Sequence, residues 1–306
     1  MRDRKFVARL LAALMIALIL GSFGTLGSPT IARSVTIECA SVTPASAPSA
    51  STSAAVVSPE VPAVFPQAGG ELTVFAAASL TDSFNQVKTD LEAEHPELTI
   101  TYNFAGSPAL VTQLTEGAEA DVFASASKAQ MTKAEEAGVI AGKSQVFTQN
   151  RLAIVVPKDN PAGIQSPADL AREGVKLVLA QAEVPVGQYA RQSICAAALD
   201  AAKFGDGFAV KVGANIVSEE DNVKAVLAKV LLGEADAGIV YTTDVTAELA
   251  PDVFVIEIPA TINVIAMYRI APVTGGDADL AVAFIDYLLG PEGQATLAEF
   301  GFEPKP

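Results

Sequence analysis

Tryptophan is absent from this 306-residue chain, histidine occurs once, as His95, and cysteine twice, as Cys39 and Cys195. A single histidine excludes a multi-histidine metal site. Any Ser-His-Asp triad would have to run through His95, which precedes Pro96 at the end of a predicted helix. One cysteine falls in a stretch read as linker and the other on a predicted helix, so no disulfide framework is expected. Cys195 reads as a small buried hydrophobe. Basic residues are also few, 20 against 35 acidic ones, giving a net charge of −15. From Glu71 onward the balance is 15 basic to 32 acidic. So acidic a body argues against nucleic acid or anionic lipid as partner. It does not argue against a small anion, because helix N-termini and hydroxyls bind one without lysine or arginine. Neither G-x-x-x-x-G-K-[ST] nor a usable G-x-G-x-x-G occurs, so nucleotide binding has no support. No cofactor and no directly bound metal ion are expected.

What is present begins with an export signal. Arg2, Arg4, Lys5 and Arg9 precede an unbroken apolar run at residues 10–20, too short for a comfortable membrane span. Residues 1–32 read as a signal peptide with cleavage near Ala32. Residues 33–70, rich in Ser, Ala and Pro, read as a disordered tether. A tether after a signal points to an exported protein, periplasmic or held at the outer face of the membrane. Cys39 is a candidate lipid attachment point, although Glu38 before it departs from the small residue such a signal wants.

From Glu71 the pattern changes. Half of the whole chain is apolar, and here the apolar residues fall into strands of four to six residues that alternate with helices. Residues 72–77, 98–103 and 121–125 read as strands. Phe84, Val87 and Leu91 mark a helix stopped at His95-Pro96, and two further helices start near Leu110 and Met131. The alternation restarts at Arg151, with strands at 151–157, 176–180, around Val210 and at 237–241, and helices at 188–202 and 223–232. A strand at 263–269 and a helix at 280–289 close the pattern. Such βαβ alternation means an α/β protein with mostly parallel sheets. Its restart suggests two lobes, one from residues 71–150 and 263–302, the other from 151–262.

Four helix starts follow strands. Ser79 and Ser107 are hydroxyls at two of them, each readable as an N-cap, with Pro108 suited to the first turn. At the third, Val184-Pro-Val-Gly187, small and apolar residues leave amides uncovered. The fourth opens at Val223. Together they bring exposed amides and two hydroxyls to the C-terminal edges of parallel strands, where open α/β sheets bind ligands.

The segments Phe75-Ala-Ala-Ala-Ser-Leu80, Phe104-Ala-Gly-Ser107, Asp121-Val-Phe-Ala-Ser125, Gly233-Glu-Ala-Asp-Ala-Gly-Ile-Val-Tyr241, Gly290-Pro-Glu-Gly-Gln294 and Phe300-Gly-Phe302 resemble the periplasmic molybdate-binding proteins of ABC importers. The match runs from about Glu71 to Phe302 in the family's order. The resemblance implies a two-lobed periplasmic-binding-protein-like fold with the ligand cleft between lobes. It implies a monomer that binds molybdate or tungstate and delivers it to a membrane permease, without enzymatic activity. Carried over by position, it implies oxyanion contacts from the hydroxyl and amide of Ser79 and of Ser107, from the amides of Val186 and Val223, and from the hydroxyl of Tyr241. Pro108 stands where the family often has a small polar residue, and removes one amide donor. Val186 replaces a residue that is often smaller.

A proton-free dianion needs only donors, and this set supplies them. Hydrogen phosphate carries a proton that wants an acceptor, whereas sulfate has to be rejected by size. The alternatives are a binder of sulfate, phosphate, iron or an amino acid on the same scaffold, or a secreted hydrolase using Ser79 or Ser107. Neither serine has the G-x-S-x-G setting such an enzyme uses.

Overall fold

The computed structural model describes residues 35–39, 65–66 and 69–306. The signal peptide and most of the tether read from the sequence lie outside the described residues.

Two sheets organise the chain. The first contains β1 (Gly70–Ala77), β2 (Leu98–Ala105), β3 (Val122–Ser125), β4 (Gln145–Asn150), β10 (Ala266–Pro272) and β11 (Glu303–Pro304), in the order β11-β4-β10-β3-β1-β2. Its β2, β1 and β3 run parallel, and β10 joins β3 and β4 antiparallel. The second contains β5 (Leu152–Pro157), β6 (Leu177–Ala180), β7 (Ile216–Glu220), β8 (Ala237–Tyr241) and β9 (Val253–Glu257), in the order β7-β6-β8-β5-β9.

Strand β1 shows why these segments are strands buried on both faces. Leu72, Val74 and Ala76 join one apolar cluster, and Phe75 points to another with Phe123, Leu110 and Met131. Helices α1 (Thr81–Glu94) and α8 (Ala278–Leu289) cover the first face, α2 (Ser107–Thr115) and α3 (Lys128–Glu136) the second. In α1 the buried residues Phe84, Val87 and Leu91 keep helical spacing, and His95 N–H closes the helix on the Leu91 carbonyl at 2.8 Å. Around the second sheet lie α4 (Pro185–Ala198), α5 (Ala201–Phe204), α6 (Phe208–Ala214) and α7 (Val223–Leu231); α9 (Pro291–Glu299) packs on α8 and α1.

The chain passes from the first sheet to the second through Arg151 alone, between β4 and β5, and returns between β9 and β10. Asn263 ties the two crossings together: its Oδ1 accepts from Leu152 N–H at 3.1 Å and its Nδ2 donates to the Leu152 carbonyl at 2.9 Å.

Three expectations need correction. The strand expected around Val210 is helix α6: Phe208, Ala209, Val212 and Gly213 form a buried helical face, and Val210 points to solvent. The helix expected over 188–202 starts earlier and breaks at Leu199, because the Asp200 side chain accepts from Lys203 N–H and starts α5. The cysteines are not independent, since Cys39 and Cys195 form a disulfide across 156 residues with their Cα atoms 5.4 Å apart. The physical reason is packing of residues 35–39 on α6: Ile37 is buried, and a Cβ on Gly213 would stand 2.6 Å from the Val35 carbonyl oxygen. A sulfur in that bond carries no lipid.

Candidate functional site

Ser79, Ser107, Val186, Val223 and Tyr241 all line one small cavity, together with Ala77, Ala105, Gly106, Ala126 and Asn222 among others. The first sheet brings two of them. Ser79 sits in the 3-10 turn that joins β1 to α1, and Ser107 is the first residue of α2, straight after β2. The second sheet brings three. Val186 is in the first turn of α4, Val223 opens α7, and Tyr241 ends β8. All five are 5 % exposed or less.

Neither serine caps its helix. Ser79 Oγ lies 2.7 Å from the Tyr268 hydroxyl, and Ser107 Oγ accepts from Ala126 N–H at 3.2 Å, which leaves the Ser107 hydrogen free. First-turn amides at Ser107, Val186 and Val223 have no acceptor within their own helices. Asn222 caps α7 by accepting from Ala225 N–H at 3.0 Å. The Tyr241 hydroxyl is buried and has no hydrogen-bond partner among the described residues. Burial pushes its pKa well above the ordinary tyrosine value, so it stays a neutral donor.

No lysine or arginine lines the cavity. The nearest cation in sequence, Lys224, faces the flank: its Nζ donates to Asp82 Oδ2 at 2.6 Å and lies 3.7 Å from Asp244 Oδ1. Asp82 belongs to α1 and Lys224 to α7, so this pair bridges the two lobes. Gln130 does the same, donating through Nε2 to the Glu183 carbonyl at 2.8 Å. Backbone meets backbone at Gly106, where a Cβ would stand 2.2 Å from the Asp221 carbonyl oxygen. Only glycine permits that approach.

Behind the cavity lies a buried polar group that sequence reasoning missed: Tyr268, Asn150, Thr243 and Asp244. Burial lifts the Asp244 carboxyl to about 7, against the lowering effects of Lys224 and the Tyr241 N–H. The Thr242-Thr-Asp244 step after Tyr241 was a local signal for an acidic turn. Tyr268, on a distant strand, had none.

Two sheet-centred lobes meeting over a cavity lined by neutral donors define a cleft-type binding protein for a small ligand. The chain belongs to the bacterial extracellular solute-binding protein family, whose profile matches residues 72–303. It is 36 % identical over 267 residues to the molybdate-binding protein ModA of Mycobacterium tuberculosis, covering 87 % of this chain and 92 % of that protein. To ModA of Haemophilus influenzae it is 31 % identical over 245 residues, 78 % and 92 % of the two chains. Among solved structures it resembles the substrate-binding domain of a putative molybdenum ABC transporter from Clostridium difficile. That match has a TM-score of 0.57 and 26 % identity, over 77 % of this chain and 99 % of the other.

Proposed function

We propose that this protein captures molybdate, and tungstate with it, outside the cytoplasm and hands it as a monomer to the membrane permease of an ABC importer. The oxyanion sits among Ser79, Ser107, Val186, Val223 and Tyr241, and the lobes are residues 71–150 with 263–302 and residues 151–262. The observation that carries the reading is the chemistry of the cavity: hydroxyls, first-turn amides and an unpartnered buried phenol, with no charged side chain in its lining. Such a lining suits a proton-free dianion, which accepts at every oxygen. The ModA relatives support molybdate as that ion. The Cys39–Cys195 disulfide supports export, because such bonds persist in oxidising compartments. A hydrolase finds no support in the geometry: His95 closes α1 at the end away from Ser79, about 20 Å along a 14-residue helix.

Crystals grown with molybdate and measured at the molybdenum absorption edge test the placement. The expected result is one anomalous peak between Ser79, Ser107 and Tyr241. A peak elsewhere, or none, would overturn it.

A further inference from the structure

Asn150, Thr243 and Tyr268 are buried polar residues behind Ser79 that the ligand contacts do not use, with Asn150 and Tyr268 at 0 % exposure. The orientation of the Asn150 amide is fixed by its neighbours. Arg151 N–H, which can only donate, points at Oδ1 from 2.9 Å, and the Thr242 hydroxyl lies 3.1 Å from the same atom. The NH2 end therefore faces Thr243 Oγ1 at 2.8 Å and, more distantly, the Tyr268 hydroxyl at 3.5 Å. An amide NH2 only donates, so the Tyr268 oxygen is the acceptor there.

The hydrogen of Tyr268 then needs an acceptor. Among the described residues the acceptor in hydrogen-bonding geometry is Ser79 Oγ, at 2.7 Å, and the neighbouring Tyr241 hydroxyl makes no hydrogen bond. The reverse direction, Ser79 donating to Tyr268, would leave a buried phenolic hydrogen with no acceptor. With Tyr268 donating, the hydrogen of Ser79 is the one left over, and the serine stands on the cavity wall.

We propose that Tyr268, backed by Asn150, is a positioning and specificity-determining residue that commits the Ser79 hydroxyl to donating into the cleft, so that the site prefers a proton-free oxyanion to one carrying a proton. The proposal rests on the reading of Ser79 as an oxyanion contact. A protonated anion such as hydrogen phosphate binds well only if some wall group accepts from it. Ser79 could do so only by turning its own hydrogen back onto Tyr268, which would displace the Tyr268 hydrogen from its acceptor. A chain of bonds pointing the same way also polarises each successive donor. Replacing Tyr268 by phenylalanine keeps the ring against Phe147, Tyr241 and Phe302 and removes only the group that sets the direction.

The test is calorimetric titration of the wild-type protein, Tyr268→Phe and Asn150→Asp with molybdate, sulfate and inorganic phosphate. It is done at about pH 8, where phosphate is mainly divalent yet still carries a proton. Tyr268→Phe is expected to weaken molybdate binding by about 3- to 10-fold, the worth of one hydrogen bond, while phosphate binding holds or improves. The molybdate-to-phosphate affinity ratio therefore narrows. Asn150→Asp offers Tyr268 an acceptor and turns the chain away from Ser79. Its added charge opposes both divalent ions alike and cancels in the ratio, which is again expected to narrow. Should Tyr268→Phe fail to fold, Asn150→Asp carries the test.

Equal losses for both ions would mark Tyr268 as a packing residue and overturn the proposal, as would an unchanged ratio. A wild type that prefers sulfate to molybdate defeats the molybdate assignment, and the chain is then judged on the sulfate-to-phosphate ratio. A wild type that binds none of the three ions defeats both.

Discussion

Tyr241 and Asp244 lie three residues apart, and burial acts on them to different ends. The Tyr241 hydroxyl is buried without a partner among the described residues, so it costs the unliganded fold the desolvation of a polar group. Tyr241→Phe removes that cost and keeps the ring. The unliganded protein is expected to melt at the wild-type temperature or higher, whereas molybdate affinity falls by about 1.5–3 kcal/mol, the range for a hydrogen bond to a charged group. Scanning calorimetry beside titration checks the split. A loss of stability with unchanged affinity would assign the hydroxyl to the fold instead. For Asp244, burial raises the carboxyl to about 7, and Lys224, Asp82, Tyr241 and Tyr268 are the titratable groups that face it. An unfolded aspartate titrates near 3.9, so about this value the folded protein begins to hold the proton more tightly than the unfolded chain does. The carboxyl's contribution to stability is complete below about pH 4 and is lost as pH rises through about 7. Asp244→Asn stays neutral, so its melting temperature is expected to gain on wild type between about pH 4 and 7 and to hold a constant gap above. A gap independent of pH across that window would contradict this.

The elements at the site were readable wherever the signal was local. A hydroxyl after a strand, a proline in a first turn and a helical stripe such as Val223, Val226, Leu227 and Val230 lie within a few residues of one another. All five expected site residues accordingly line one cavity. What stayed hidden was long-range. Tyr268 reaches Ser79 across 189 positions and Asn150 across 118, and the two cysteines meet across 156. The strand expected around Val210 failed for another reason: Val210 lies among the apolar Phe208, Ala209 and Val212, and only their helical spacing distinguishes α6 from a short strand. The capping reading of the two serines also failed, because both hydroxyls are engaged with distant elements. One close contact between elements gives a sharp test. At Gly106, before α2, an added Cβ would meet the Asp221 carbonyl oxygen, before α7, at 2.2 Å. Gly106→Ala is expected to hold the lobes apart and weaken molybdate binding by about 1–3 kcal/mol, the cost of overpacking. X-ray scattering with and without molybdate would show it. A variant that compacts on ligand addition like the wild type would refute the steric argument.

For the whole molecule, the disulfide and the lobe-to-lobe contacts act on different steps. Cys39–Cys195 closes a loop across 156 residues, and removing such a crosslink costs a small exported domain about 2–5 kcal/mol. Urea unfolding with and without reductant is expected to show that loss. Molybdate affinity is expected to be retained, because neither cysteine lines the cavity. An unchanged midpoint would mean that packing of Ile37 holds the segment by itself. In the proposed site, binding is expected to depend instead on how the lobes meet: Lys224 with Asp82, Gln130 with the Glu183 carbonyl, and Gly106 against Asp221. These contacts fix the span between the serines of the first lobe and the amides and Tyr241 of the second. Donor chemistry alone does not separate molybdate from sulfate, since both lack a proton, so with the ligand placed as proposed that span is expected to separate them. The most direct measurement is titration of the wild-type protein with molybdate at pH 7 in the presence of excess sulfate. The expected result is tight, one-to-one molybdate binding that sulfate barely displaces. Equal or tighter binding of sulfate would contradict it.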